Sequence, residues 1–202
     1  MTGPQGSGNH LWSKVFAAAG NCFAWSSLNN EYWVAHDKEP FAEAWHDASK
    51  LKDIDIGNFC IAVTSISCPY AYHGNTVEPD YLSFISTAKS LGYSIKLAII
   101  GRDINILEYQ QQRVRNTVSL PIFEKHLDFL TTFNPVFLST ELLYLYKSEY
   151  IKQIERDLCF RIPISRDKLE EILTPNANTK YFKSIDPQPL DKIVKQVSGI
   201  KQ

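Results

Sequence analysis

Residues 1–14 read MTGPQGSGNHLWSK, and the fold expected for the whole chain turns on the glycines they contain. Gly3 and Gly8 have the G-x-x-x-x-G spacing of a phosphate-binding loop, with Gly6 and Ser7 between them. Glycines so placed let backbone N–H groups curl around an oxyanion where a helix begins. Residues 11–19, LWSKVFAAA, read as that helix. The motif then departs from its usual form. Asn9 stands where Lys would reach the outer phosphates, and His10 where a hydroxyl would hold Mg²⁺. A kinase using ATP-Mg is therefore disfavoured. A plain glycine-rich end without a ligand is the bland alternative. A phosphate loop follows a buried strand, yet only Met1 and Thr2 precede Gly3. The expectation is that the first strand is missing from the sheet and that the natural start lies upstream.

Beyond the loop, strand and helix signals alternate. Residues 58–67 (NFCIAVTSIS), 94–101 (SIKLAIIG) and 135–139 (PVFLS) read as strands, the first two as buried ones. Residues 80–93 carry Leu82, Ile85, Ala88 and Leu91 at helical spacing and stop at Gly92. Residues 104–116, 120–133 and 141–160 also read as helices. This alternation predicts a three-layer α/β fold with a mainly parallel sheet. Ligands of such folds sit at the carboxyl ends of the strands. Three stretches are expected at that crevice: Ser67-Cys68-Pro69, Gly101-Arg102-Asp103 and Ser139-Thr140-Glu141. Residues 1–174 are assigned to the domain, and residues 175–202, polar with three prolines, to a tail wrapping it.

The bulk numbers narrow the function classes. A net charge of −1 over 202 residues gives no global field for nucleic acid. No apolar run approaches the roughly 20 residues that span a bilayer, and no signal-peptide pattern is read at the start. Cys22, Cys60, Cys68 and Cys159 form no C-x-x-C pair and are expected as reduced thiols in a cytoplasmic protein.

The stretch PQGSGNHLWSK resembles the 5′-phosphosulfate loop of sulfotransferases, many of which read Pro-Arg-Ser-Gly-Asn-(Thr/His). Two later stretches agree in order. LAIIGRDINILEYQQQR resembles the family's strand-Arg-Asp segment, with Arg102 at the arginine that holds the donor's 3′-phosphate. VFLSTELLYLYKSEYIKQIERDLCFRIP resembles its later strand-helix-Pro segment. The resemblance covers roughly residues 3–163. It implies a P-loop scaffold and 3′-phosphoadenosine-5′-phosphosulfate as donor, with a small-molecule or polymer hydroxyl as acceptor. On that reading Gly3, Gly6, Ser7, Gly8, Asn9 and His10 hold the phosphosulfate, and Arg102 with Gln110 or Arg113 holds the 3′-phosphate. The departures concern catalysis. The family's loop cation is absent, since Gln5-Gly6 stands there, and Lys14 substitutes only if its chain folds back. Gln110 replaces a serine of the 3′-phosphate site. Ser67 stands where some members carry a catalytic histidine. For the C-terminal nucleotide clamp only residues 176–183 (NANTKYFK) are available.

Sulfuryl transfer needs a base for the acceptor hydroxyl. Residues 31–47 concentrate candidates among aromatics, and His36 with Glu39 could pair as base and orienter. A surface loop packing its aromatics inward is the alternative. His36, Asp37, His46 and Asp47 match no metal-ligand spacing. His73, in YAYHGN, is a second base candidate or a simple turn residue. The rival readings are a kinase of a nucleoside, nucleotide or base using Asp103 or Glu141 for Mg²⁺, a non-catalytic nucleotide-binding module, and a purely structural protein.

Overall fold

In the computed structural model, residues 1–30 and 34–175 are described. In chain order the elements are β1 (Thr2–Pro4), α1 (Asn9–Ala19), α2 (Ala42–His46), β2 (Ile66–Cys68), β3 (Tyr70–Tyr72), β4 (Asn75–Val77), α3 (Tyr81–Ser90), β5 (Ala98–Gly101), α4 (Ile104–Arg115), α5 (Leu120–Glu124), α6 (Leu127–Thr131), β6 (Val136–Ser139), α7 (Thr140–Leu158) and α8 (Arg166–Leu173). Four strands form a parallel sheet in the order β2-β1-β5-β6. The class is α/β, and a parallel sheet clothed by helices is compatible with three layers.

The missing strand is present, which corrects the expectation above. Thr2–Pro4 lies in the middle of the sheet, pairing Thr2 with Ile66 on one side and with Ile99 on the other. Gly3 is required there. A Cβ at Gly3 would stand 2.5 Å from Ser7 Oγ and 2.6 Å from the Ile100 carbonyl oxygen. The chain leaves β1 to one side, reaching β2, and later returns past it to β5 and β6. The sheet order therefore reverses next to β1, and the crevice of such a fold opens at that point.

Only Ile66 and Ser67 of the expected strand at 58–67 belong to β2. The segment before them makes one bridge, Ala62 with Phe23, and leaves Phe59 and Ile61 each 41% exposed. A strand needs a neighbour of its own length, and β1 offers only three positions. Two further expectations are revised. The 120–133 helix is two short helices, α5 and α6. The helix expected at 141–160 breaks at Lys147, whose φ of 45° and ψ of −117° are non-helical. The stripe of α3 that meets the core is Tyr81, Phe84, Ile85 and Ala88, while Leu82 points to solvent. Trp45 stacks on Phe84 at 3.6 Å between ring centroids, in a core shared with Ile66, Ile99, Phe123 and Leu130.

The outer edge of β6 is closed by a side chain. Ser139 N–H donates to the Tyr150 hydroxyl at 2.9 Å, and that hydroxyl reaches the Phe137 carbonyl at 3.4 Å. Both backbone groups point away from β5, so one phenol covers an edge that would otherwise invite another strand. Tyr150→Phe should cost about 1–3 kcal/mol for the groups left unpaired. Urea denaturation should show that loss, and sedimentation should show new concentration-dependent association.

Among the described residues no helix is long and apolar enough to cross a membrane. Beyond Pro175, the proposed tail and the NANTKYFK stretch lie outside the described residues, as do Glu31, Tyr32 and Trp33.

Candidate functional site

The turn between β1 and α1 is held from outside by its carbonyl groups. Gln111 Nε2 donates to the Gln5 carbonyl at 2.7 Å, Arg102 Nη1 to the Gly6 carbonyl at 2.7 Å, and Thr140 Oγ1 to the Ser7 carbonyl at 2.6 Å. These three donors come from the body of α4, the end of β5 and the start of α7. Consecutive carbonyls are thus consumed by the surrounding domain. The N–H groups of Gly6, Gly8 and Asn9 donate to no group among the described residues. Gly6 and Gly8 make the turn possible, with φ of 88° and 115° that side chains resist. A Cβ on Gly8 would also stand 2.5 Å from Thr140 Oγ1. Gly8 then caps α1, so the open N–H groups lie at a positive helix terminus.

Each brace is itself fixed. Gln111, fully buried, accepts from the N–H groups of Ser119 and Leu120 at 2.7 and 3.0 Å. Ser119 Oγ in turn donates to Gln5 Oε1 at 3.0 Å. Arg102 also donates to Gln110 Oε1 at 2.6 Å, and its Nε lies 3.9 Å from Glu141 Oε1. Asp103 accepts from Asn105 N and Ile106 N as the cap of α4. Arg102 and Gln110, both expected at a 3′-phosphate, are therefore brought together beside the loop. Arg113 lies further along α4, on its exposed last turn. The two carboxylates offered for Mg²⁺ in a kinase are occupied by capping and by Arg102.

Asn9 and His10 turn their side chains elsewhere than the open N–H groups suggest. Asn9 Nδ2 donates to Ser7 Oγ at 3.2 Å and to Ser67 Oγ at 3.1 Å, while its Oδ1 accepts from Ser65 Oγ at 3.3 Å. His10 Nε2 pairs with the Val34 carbonyl at 2.7 Å. Its ring lies 4.8 Å from that of His36 and 5.0 Å from that of Trp25. His36 Nε2 sits 3.0 Å from Ser67 Oγ. Withdrawal from water, then the nearby charges of His10 and Arg115, push the His36 imidazole down to about 3. It is neutral at ordinary pH, with a lone pair to offer.

The expected pairing of His36 with Glu39 is not formed. Glu39 instead accepts from Thr64 Oγ1 at 2.8 Å, Phe41 N at 2.8 Å and Ser65 N at 3.4 Å. Burial raises its carboxyl to about 7, against the lowering effect of those hydrogen bonds. Glu39 also lines a cleft of about 290 Å³ with Asp37, Glu43, Lys50 and Asp53. His73 is at the tip of the β3–β4 hairpin. With φ of 47°, followed by Gly74 at 79°, it forms the two-residue turn, and its ring lies 4.2 Å from Tyr72. Lys14 is half-buried on α1, where burial and Lys168 lower its pKa. Among the described residues no three His, Cys, Asp or Glu groups are arranged to hold a metal.

Sequence reasoning missed Gln111 and Thr140 as braces and Ser67 as the partner of His36. The only signals available were the polar residues Gln111 and Thr140 beside apolar segments. Nothing local links Ser67 to a histidine 31 residues away. Comparison with protein-family models, curated proteins and solved structures gives no match.

Proposed function

We propose that this chain is a P-loop group-transfer enzyme. It moves a sulfuryl group from 3′-phosphoadenosine-5′-phosphosulfate to a hydroxyl acceptor. One observation carries the reading. Three successive loop carbonyls are tied outward by Gln111, Arg102 and Thr140, while the neighbouring N–H groups stay open at the start of α1. Such a preorganised set of donors fits an oxyanion and needs no reorganisation when charge develops on the leaving group. The donor supplies the activated sulfuryl group. The loop N–H groups of Gly6, Gly8 and Asn9 would hold its phosphosulfate. Arg102, a buried guanidinium 2.7 Å from the Gly6 carbonyl, adds positive charge next to them. His36, neutral and beside Ser67, is the base that accepts the proton released in transfer. Lys14 and His73 have no part in this arrangement.

The test is thermal stabilisation by 3′-phosphoadenosine-5′-phosphate against ATP-Mg²⁺. At 100 times its dissociation constant a ligand adds about 2.7 kcal/mol. Stabilisation by the bisphosphate, lost in Arg102→Ala, is the expected result. A shift with ATP-Mg²⁺ alone would assign phosphoryl transfer instead, and no shift with either would overturn nucleotide binding altogether.

A further inference from the structure

Ser67 is hydrogen-bonded as an attacking hydroxyl would be. Its Oγ accepts from Asn9 Nδ2 at 3.1 Å and lies 3.0 Å from His36 Nε2. An amide N–H₂ can only donate, which leaves the Ser67 hydroxyl proton free to point at the imidazole when Nε2 is the unprotonated nitrogen. In that tautomer the neutral ring carries its proton on Nδ1, which meets no hydrogen-bond partner among the described residues. A serine within hydrogen-bond reach of a neutral imidazole is the arrangement of an activated nucleophile. Its position adds a second argument. Ser67 pairs with Gly3 in the sheet, one residue before the carboxyl end of β2, next to the strand that feeds the loop. Asn9 Nδ2 connects it to Ser7 Oγ inside the loop, at 3.1 and 3.2 Å. Ser67 is thus two hydrogen bonds from the residue whose carbonyl Thr140 holds outward. Ser67 is also nearly buried, at 5% exposure, so water competes poorly for the same position.

We propose that Ser67 Oγ is itself the first acceptor, so that transfer passes through a covalently loaded serine. This rests on the loop binding the donor as argued above. Ser67 Oγ attacks the sulfur of the phosphate–sulfate anhydride, and a new O–S bond forms. The bond from sulfur to the bridging oxygen breaks, and the nucleoside bisphosphate leaves with the electron pair. The Ser67 proton moves to His36 Nε2 and gives an imidazolium. The imidazolium releases that proton to water, and a second hydroxyl compound then attacks the same sulfur, passes its own proton to His36 and frees Ser67 as leaving oxygen. That oxygen recovers its proton from His36. The acceptor class is therefore any hydroxyl that can reach Ser67, and the donor and acceptor need never be bound together.

The experiment uses the full chain and the donor alone, with no acceptor added. Intact mass and peptide mass spectrometry read the product, and stabilisation by 3′-phosphoadenosine-5′-phosphate is measured on the same sample. The expected result is one added sulfuryl group on the peptide carrying Ser67. It should disappear in Ser67→Ala and form at least tenfold more slowly in His36→Gln, while both variants keep their stabilisation by the bisphosphate. Stabilisation of the wild type without an adduct at Ser67, or with one elsewhere, overturns the covalent step and leaves nucleotide binding standing. An adduct formed at the same rate in His36→Gln overturns the pairing. Neither stabilisation nor adduct overturns both, and the serine then serves only to anchor Asn9. Because the wild-type spectrum decides alone, an unfolded variant does not blunt the test.

Discussion

Gly3→Ala is expected to destabilise the protein by about 3 kcal/mol or more, at the upper end of what overpacking a tight site costs. The added methyl would meet Ser7 Oγ at 2.5 Å and the Ile100 carbonyl oxygen at 2.6 Å. The second contact is the harder one to relieve, because Ile100 is fully buried backbone of β5 and β5 is paired on both sides. Relieving the first means turning Ser7 away from Asn9, which donates to it at 3.2 Å. The methyl therefore strains the central strand and the loop together. Gly101→Ala is the control, since the nearest atom to its Cβ, the Leu138 carbonyl oxygen, is 4.0 Å away. Its cost should stay near that of an ordinary surface change, about 0.5 kcal/mol. Urea denaturation of both variants measures the difference. Equal losses would mean that β1 does not lie between β2 and β5. Against a typical domain stability of about 5–15 kcal/mol, the Gly3 loss is large.

Gln111→Leu is the second large effect. It removes the donor to the Gln5 carbonyl and the acceptor shared by the Ser119 and Leu120 N–H groups. Leucine matches the volume but leaves three backbone groups without partners in a buried place. Each such group costs about 1–3 kcal/mol, so a total near 3 kcal/mol or above is expected. The consequence for binding should exceed that of stability alone. With the Gln5 carbonyl released, the loop can rotate its N–H groups away from a ligand. Stabilisation by 3′-phosphoadenosine-5′-phosphate should then fall in the folded fraction as well. Gln112→Leu, one position along on the exposed face, should change neither quantity. A Gln111→Leu protein with unchanged stability and unchanged ligand response would show that the carbonyl braces do not organise the loop.

These two positions differ in how far local sequence reveals them. Gly3 and Gly8 were visible as a spacing, and Arg102 as a cation directly after an apolar run. Gln111 looked like one more polar residue in YQQQRVR, because helical periodicity marks polar residues as outward. It is buried because the loop, 106 residues earlier, presents a carbonyl to it. Asn9 and His10 were readable as departures from a kinase loop. What they bind instead, Ser67 and the Val34 carbonyl, depends on segments that no local pattern ties to them. The base candidate His36 was legible by type, whereas its partner was expected to be Glu39 and is Ser67.

Local sequence specifies the α/β class, the positions of β5, β6, α3 and α4, and the turn that begins α1. Each of these is written locally, in apolar periodicity, caps and glycines whose φ is positive. Long-range packing sets the centre of the sheet, the loop's three braces and the Ser67–His36 pair. β1 is central with only Thr, Gly and Pro, because its place is enforced by β2 and β5 on either side and not by its own hydrophobicity. Hydrogen-bond partners far apart in sequence are selected when burial removes water as the alternative partner, and that choice is made only once the chain has closed around them.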